Sequence, residues 1–322
     1  MPAVREGTAV SRPNHRIPGF LLVANPRSGD DDAGGAKDLS ARVRERLGDV
    51  ETLWLEPGLD LGEEVGRASR EGRAVIAAGG DGTVNAVVQQ VAGTDTVLGV
   101  LPAGTLNHFA RDLGVRDEET ALDALAEGQV ARIDAGRAGD RYFVNNAGIG
   151  LYPELVYERE RHEHRAGKWR ASLTAARRIL GTAEPVVGTI AADGDRRALL
   201  AWAVFVGNNL FGTQTGRIGT RERLDQGVLD LRLLTVSKRR ASKTRFAWRV
   251  LRSRQWRGRR LVRRPARLVE VSIVGEPRLV SWDGESGPPV STIRVDVVPG
   301  ALRVVVPGPG MARGATPFGT RT

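Results

Sequence analysis

The sequence predicts an α/β domain followed by an all-β domain. The chain has 322 residues, 41% of them hydrophobic, which is enough to bury more than one core. From Gly19 to about Ile133, short apolar runs alternate with longer amphipathic stretches, a pattern typical of βαβ units and a parallel sheet. After Asp134 the pattern changes to many short β-branched runs, which indicate a sandwich.

Four buried strands and three helices are predicted in the first domain, which we expect to be doubly wound. The strands are Phe20–Val23, Thr52–Leu55, Ala74–Ala77 and Val97–Val100, and the helical stretches are Leu39–Leu47, Leu61–Ala68 and Val84–Val91.

The second domain is predicted to contain at least seven strand segments, interrupted by helical insertions near 155–180 and 237–262. The apolar runs are 142–144, 186–190, 202–206, 228–236, 268–274, 293–298 and 302–306. We therefore expect a flexible tail over 1–17, a nucleotide-binding domain over 18–135, a lipid-substrate domain over 136–306, and a C-terminal tail over 307–322 that can pack back on the first domain.

Composition excludes several kinds of protein. No cysteine is present, so disulfides, thiolate nucleophiles and cysteine zinc sites are ruled out. No apolar run approaches the roughly 20 residues of a spanning helix, and we expect a cytoplasmic protein whose membrane contact is peripheral. The net charge of +10 favours an anionic partner.

The sharpest motif is Gly79-Gly80-Asp81-Gly82-Thr83, which joins a buried strand to an amphipathic helix. Glycines let backbone N–H groups approach phosphate oxygens, and a helix N-terminus adds positive charge there. Thr83 can donate its hydroxyl, while Asp81 can hold magnesium or orient an acceptor. Taken alone, the motif is more often an ordinary tight βα turn.

Two further loops strengthen the prediction of a phosphate site. Asn25–Gly29 follows the first strand, and Leu101–Asn107 follows another strand of the same sheet. Loops that follow the carboxyl ends of parallel strands meet at one crevice, so the three loops predict a nucleotide pocket. Neither a Walker A sequence nor GxGxxG is present, which argues against P-loop enzymes and dinucleotide dehydrogenases.

These three loops resemble, in order and spacing, the diacylglycerol kinase catalytic domain, a family of bacterial lipid kinases related to sphingosine kinases. Tyr142–Gly150 is similar to the next block of that family, and Asp283-Gly284-Glu285 is similar to its late Asp-Gly-Glu turn. The similarity extends from Gly19 to about Val306.

The resemblance implies a kinase that transfers the γ-phosphate of ATP, with Mg²⁺, to the hydroxyl of diacylglycerol or a related membrane lipid reaching the cleft between the domains. It places Glu285 as the base. The chemistry of the residues leaves Asp81 as the other candidate and as the magnesium ligand, and Asp283 as a support for the turn or the metal. The nucleotide-binding residues by motif match are Asn25, Pro26, Arg27, Ser28, Gly29, Gly79, Gly80, Asp81, Gly82, Thr83, Val84, Asn85, Gly104, Thr105 and Asn107.

The sequence departs from the family at two positions. Many relatives carry Asn-Asp where this chain has Asn107-His108, so an acidic contact is missing. Soluble bacterial relatives hold a structural magnesium through an aspartate that is Gln226 here, so the carboxylate ligand of that second metal site is missing.

The stretch Lys238–Arg264 combines many basic residues with Phe246, Trp248 and Trp256. This composition suits the headgroup layer of an anionic membrane, so we expect docking at the inner membrane face and no nucleic-acid partner. A solvated charged helix is the plainer alternative. Two other functions stay open: an NAD kinase, whose family also uses Gly-Gly-Asp-Gly-Thr, and a binding or regulatory protein with a degenerate kinase fold.

Overall fold

The structure, a computed structural model, describes residues 17–26, 33–104, 107–151, 184–212, 221, 223–236 and 261–308. The described residues fall into two compact units. The first contains the described residues up to 135 together with 223–226 and 298–308, and the second contains 136–221 and 227–297.

The first unit is built on a parallel sheet. Its strands are β1 (Phe20–Ala24), β2 (Val50–Trp54), β3 (Ala74–Gly79) and β4 (Val97–Pro102), in the order β4-β3-β1-β2. Every residue of β1 and β3 is buried, as expected of parallel strands covered on both faces. The motif loops begin at the carboxyl ends of β1, β3 and β4.

Five helices belong to this unit: α1 (Ala33–Leu47), α2 (Leu61–Arg70), α3 (Asp81–Val91), α4 (His108–Asp112) and α5 (Glu118–Glu127). Aspartates cap two of them, because Asp60 Oδ1 accepts from the Glu63 N–H at 3.0 Å and Asp117 Oδ1 from the Thr120 N–H at 2.8 Å. The strand–helix alternation predicted from the sequence is therefore present.

The second unit is formed by antiparallel strands around one apolar core. Its strands are β6 (Arg141–Phe143), β7 (Asn146–Gly150), β8 (Val186–Ala192), β9 (Asp195–Asn208), β10 (Leu229–Thr235), β11 (Leu261–Ala266), β12 (Leu268–Ile273), β13 (Arg278–Trp282) and β14 (Glu285–Val290). Two longer strands, β5 (Gln129–Ala138) and β15 (Thr292–Val306), contribute to both units.

Strand alternation gives the sheet of the second unit two different faces. Ala147, Ile149, Val280 and Trp282 belong to the core, together with alternate residues of β9 and β10. The residues between them point the other way and include Gly148 and Ser281, which are paired across β7 and β13. This second face is less apolar than the core face.

The predicted fold class is confirmed, while the assignment of 298–306 to the second domain needs correction. The apolar pattern of β15 is continuous, so the sequence shows no break within it. Its final part nevertheless pairs with β4 in parallel, Arg303 with Val97 and Val304 with Leu98, and so completes the first unit. The two predicted helical insertions lie outside the described residues, except that 261–262 begin β11.

Candidate active site

The glycine loop forms a tight junction between β3 and α3. A Cβ at Gly79 would lie 2.3 Å from Thr83 Oγ1, so only glycine fits against this side chain. Gly80 caps α3 in an extended conformation, and Gly82 is exposed. The first N–H groups of a helix have no intrahelical acceptor, so the loop presents donors and the positive end of α3.

The loop after β4 packs directly on the glycine loop. A Cβ at Gly104 would lie 2.5 Å from the Cα of Gly80, and the Ala103 N–H donates to the Gly79 carbonyl at 3.1 Å. Asn107, with φ +47°, fixes the turn because its amide accepts from the Gly104 N–H at 3.1 Å and donates to the Gly104 carbonyl at 2.6 Å. The two loops are thus held in backbone contact.

The loop after β1 reaches the same edge of the sheet. Its Asn25 N–H donates to the Ala78 carbonyl at 3.4 Å, one residue before the glycine loop. The described parts of all three loops therefore converge as the sequence predicts. Arg27, Ser28, Gly29 and Thr105 lie outside the described residues.

Two of the predicted nucleotide-binding residues are buried within α3. Val84 is 3% exposed and Asn85 is 1% exposed, and the Asn85 side-chain oxygen accepts from Gln89 Nε2 at 2.7 Å. Their burial indicates that they support the helix, while the accessible surface of the motif comes from Gly80, Asp81 and Gly82.

Asp81 contacts the start of α4. Its carboxylate lies 3.4 Å from His108 Nδ1 and accepts from the backbone N–H groups of His108 and Phe109, also at 3.4 Å. Burial opposes ionisation, but the contacts with His108 outweigh it and leave the pKa of Asp81 lowered. The hydrogen bond to Asp81 raises the pKa of His108. His108, which departs from the family pattern, is therefore the hydrogen-bond partner of Asp81 in the glycine loop.

Asp283 and Gly284 form a two-residue hairpin loop between β13 and β14. Their φ angles are +50° and +87°, the left-handed pair that Asp-Gly readily adopts. The Asp283 carboxylate accepts from the N–H groups of Val144, Asn145 and Asn146 at 2.8, 2.7 and 2.9 Å. Burial raises its pKa to about 6, against the lowering effect of these donors.

Glu285 follows this loop directly as the first residue of β14 and is paired with Trp282 across the hairpin. The hairpin is fixed by Asp283, so the backbone of Glu285 is fixed as well. Asp283 therefore has a structural contact for each carboxylate oxygen, whereas Glu285 is partly exposed.

Arg221 is a supporting residue that the sequence analysis missed. It is 4% exposed, donates to the Val144 and Asn208 carbonyls, and donates to Asn145 Oδ1 at 2.8 Å. It thereby holds the segment that supplies N–H donors to Asp283. The sequence shows only an arginine near Gln226, and the residue type does not indicate that the side chain is buried.

Among the described residues, no group of three or more histidine, aspartate or glutamate side chains is close enough to hold a metal ion. Next to Gln226, the carboxylate of Asp225 accepts two hydrogen bonds from Arg223, at 2.8 and 3.0 Å.

Among the described residues, no helix is long and apolar enough to span a bilayer.

Known proteins are similar to this chain in sequence and in fold. Residues 19–138 match the sequence family described as the diacylglycerol kinase catalytic domain. The diacylglycerol kinase of Bacillus subtilis is 32% identical over 226 residues, which cover 68% of this chain and 73% of that protein. The diacylglycerol kinase of Staphylococcus saprophyticus is 34% identical over 149 residues, 42% of this chain and 47% of the relative.

Solved structures show the same architecture. A diacylglycerol kinase of Bacillus anthracis superposes with a TM-score of 0.70 at 22% identity, covering 91% of this chain and 98% of that one. Yeast NADH kinase complexed with NADH gives a TM-score of 0.50 at 10% identity, covering 96% and 92%.

The sequence family, together with the two-unit fold, defines a lipid kinase, which is a phosphotransferase. The chain belongs to the diacylglycerol kinase family, and the assignment to the lipid kinases made from its motifs is confirmed.

Proposed function

We propose that this chain transfers the γ-phosphate of ATP to the hydroxyl of diacylglycerol or a related membrane lipid. The observation that carries the proposal is the backbone contact between the loops at Gly80 and Gly104, which brings two N–H-rich segments and the positive end of α3 to one place. Such an arrangement suits a polyphosphate.

The nucleotide is proposed to bind at the edge formed by the three loops. Gly80, Gly82 and the first turn of α3 would receive the phosphates. The other residues named from the sequence, Asn25–Gly29, Gly104, Thr105 and Asn107, would complete the site. Thr83, buried against Gly79, would keep the loop in its tight conformation.

Asp81 fits a magnesium ion because the hydrogen bonds of its carboxylate to described residues are long, 3.4 Å each, and the carboxylate lies beside the proposed phosphate position. Magnesium in kinases is commonly held by one or two carboxylates and the nucleotide itself. Bound there, the ion would neutralise charge that develops on the phosphates.

Glu285 is proposed to accept the proton of the lipid hydroxyl. As the hydroxyl oxygen bonds to the γ-phosphorus, the bond to the leaving ADP oxygen breaks and the proton passes to the carboxylate. Asp283 is proposed as the positioning residue, because its oxygens bind the three N–H groups that fix the hairpin.

Membrane association is proposed through one face of the second unit. Val187, Leu200 and Val274 are 45%, 50% and 71% exposed; Val187 pairs with Leu200, and the Val274 N–H donates to the Val187 carbonyl at 2.8 Å. The Val236 N–H donates to the Leu200 carbonyl, and the sequence from 237 to 260 that follows contains many basic and no acidic residues. Exposed apolar side chains and a basic stretch that follows in the sequence suit an anionic lipid surface at the cytoplasmic face.

The test is transfer of labelled γ-phosphate from ATP, with magnesium, to a panel of acceptors in mixed micelles: diacylglycerol, a sphingoid base, ceramide, a polyprenol and, without micelles, NAD. We expect a product with diacylglycerol or one of the other lipids. Product with NAD alone would establish the NAD kinase alternative, and nucleotide binding without any product would indicate a degenerate binding protein.

The membrane proposal has its own test in sedimentation with vesicles. Binding to vesicles of anionic phosphatidylglycerol is expected to weaken in the double variant Val187→Ser and Leu200→Ser, with little binding to neutral phosphatidylcholine. Equal binding of the native protein to both kinds of vesicle would argue against the proposed surface.

A further inference from the structure

Two arginines converge on one buried aspartate in the second unit. Asp230 on β10 is 0% exposed, and it pairs with Arg232 on the same strand at 2.6 Å and with Arg263 on β11 at 2.8 Å. Nη2 of each arginine also donates to the Phe211 carbonyl, at 3.1 and 2.9 Å. The Phe211 N–H donates to the Asp230 carboxylate at 3.0 Å. The two guanidinium groups are therefore held in fixed positions by the same two residues.

This cluster carries more positive charge than its aspartate neutralises. In the part of the chain that the structure describes, Asp230 is the only carboxylate paired with either arginine, so one positive charge is left over. Arg232 and Arg263 also lie directly opposite each other across β10 and β11, a position in which like charges repel. One arginine would be enough to pair the buried carboxylate. The second arginine needs another explanation, and an anionic ligand supplies one.

Both guanidinium groups keep donors for such a ligand. Their bonds to Asp230 and to the Phe211 carbonyl use Nε and Nη2, and neither Nη1 has a hydrogen-bond partner among the described residues. The side chains of Arg232 and Arg263 are 14% and 31% exposed, so a ligand can approach from the Arg263 side. Two guanidinium groups that share one carboxylate lie close enough to bind one phosphate through several N–H groups.

The arginine pair points away from the core of the second unit. Leu231 belongs to that core, and Leu233 packs against it. Arg232 lies between them on β10 and therefore points outward, as does Arg263 opposite it. Leu200, which is 50% exposed, lies between two core residues of β9 and points outward as well. The surface that carries the spare charge is thus an outer surface of the unit.

The sequence next to the pair favours an anionic membrane as the source of the phosphate. β10 ends at Thr235 and β11 begins at Leu261, so both strand ends lie within three residues of the arginines. The connection between these strands, 236–260, contains many basic and no acidic residues. Recognition of one soluble phosphate compound needs no long basic stretch, whereas an anionic surface attracts every basic residue that comes near it.

We infer that Arg232 and Arg263 bind the phosphate of an anionic membrane lipid and so hold the second unit at the bilayer surface. The inference rests on the proposed membrane association and assigns a headgroup site within it. Asp230 and the Phe211 carbonyl position the guanidinium groups, and the Nη1 donors bind phosphate oxygens. Diacylglycerol carries no phosphate, so the lipid bound here is a different molecule from the acceptor.

Sedimentation with vesicles that contain no diacylglycerol, in the absence of ATP, tests this site. Arg263 is the residue to replace, because Asp230 keeps its pair with Arg232 when Arg263 is changed. Arg294→Gln is the matched control, since Arg294 is also a strand arginine with one carboxylate partner, Glu270 at 3.1 Å. We expect Arg263→Gln to weaken binding to phosphatidylglycerol vesicles about 10-fold, the effect of one charge-assisted hydrogen bond, and the control to weaken it by no more than about 2-fold.

Arg263→Lys separates a built phosphate site from attraction by net charge. Lysine keeps the charge but lacks the forked donors, so we expect this variant to bind phosphatidylglycerol vesicles about 3-fold more weakly than the native protein. Native binding by Arg263→Lys, or equal losses in Arg263→Gln and Arg294→Gln, would overturn the inference, because net charge would then account for the binding.

Two other phosphate sources are separated by calorimetry with the native protein and Arg263→Gln. If inorganic phosphate binds in a way that depends on Arg263 while vesicle binding does not, the site belongs to a soluble phosphate and the lipid inference is wrong. The same pattern with an RNA oligomer would assign the pair to nucleic acid and would overturn the inference equally.

Thermal unfolding and the kinase assay keep the remaining outcomes apart. The pair of Asp230 with Arg232 remains in Arg263→Gln, so Tm should stay close to the native value; a large fall in Tm with native vesicle binding would show that Arg263 serves the fold instead. If the native protein prefers phosphatidylglycerol and both Arg263 variants keep that preference, the membrane proposal stands and the headgroup site is refuted. If no lipid is phosphorylated but vesicle binding depends on Arg263, the kinase proposal fails and the headgroup site stands.

Discussion

Replacement of Gly104 by alanine tests whether the two glycine loops form one site. The added Cβ would lie 2.5 Å from the Cα of Gly80 and 2.9 Å from Asn107 Oδ1, whereas ordinary contact begins at 3.4 Å. The loops must therefore separate by about 1 Å, because neither backbone can yield by rotating a side chain. Overpacking of this kind costs about 1–3 kcal/mol, and a 1 Å displacement of a positioning group can cost about 100-fold in rate.

The assay is calorimetric binding of ATP together with urea unfolding. We expect Gly104→Ala to weaken nucleotide binding at least 10-fold and to lower the free energy of unfolding. The control is Gly66→Ala in α2, where the new Cβ meets only Arg70 Nη1 at 3.4 Å and should stabilise the helix by about 0.5–1 kcal/mol. Native affinity and native stability in Gly104→Ala would refute the contact between the loops.

Two further predictions concern the acidic residues. Asp283→Asn places an NH₂ group among three N–H donors, so we expect a loss of about 3 kcal/mol in urea unfolding together with a large fall in kcat; unchanged stability would contradict the positioning role. The pKa of His108 lies above its ordinary value because of Asp81, so the stabilisation from this pair is present below about pH 6.5 and is lost as pH rises through the raised pKa. In an NMR titration, Asp81→Asn should lower the pKa of His108, and an identical midpoint in both proteins would rule out the pair.

Much of the fold could be predicted because its signals are local. The buried runs of β1 and β3 are apolar throughout, and Asp283-Gly284 is a strong hairpin signal from its residue types alone. The convergence of the motif loops followed from parallel strands, which end at one edge of the sheet.

The long-range contacts could not be predicted in this way. Nothing local shows that Asp283 bonds to backbone 137–139 residues earlier in the chain, that Arg221 is buried, or that β15 leaves the second unit. The contact of His108 was equally hidden, since Asp81 at the start of α3 reaches it at the start of α4 only in the folded chain. These features depend on tertiary geometry, and the sequence records only the residue types.

The most direct test of the central claim compares the native protein with Glu285→Gln in the transfer of γ-phosphate from ATP to diacylglycerol. Exposed Glu276, in the connection between β12 and β13, supplies the control Glu276→Gln. We predict that Glu285→Gln binds ATP with native affinity and loses at least 100-fold in kcat, while the control retains its activity. Native turnover of diacylglycerol in Glu285→Gln would contradict the assignment of Glu285 as the proton acceptor.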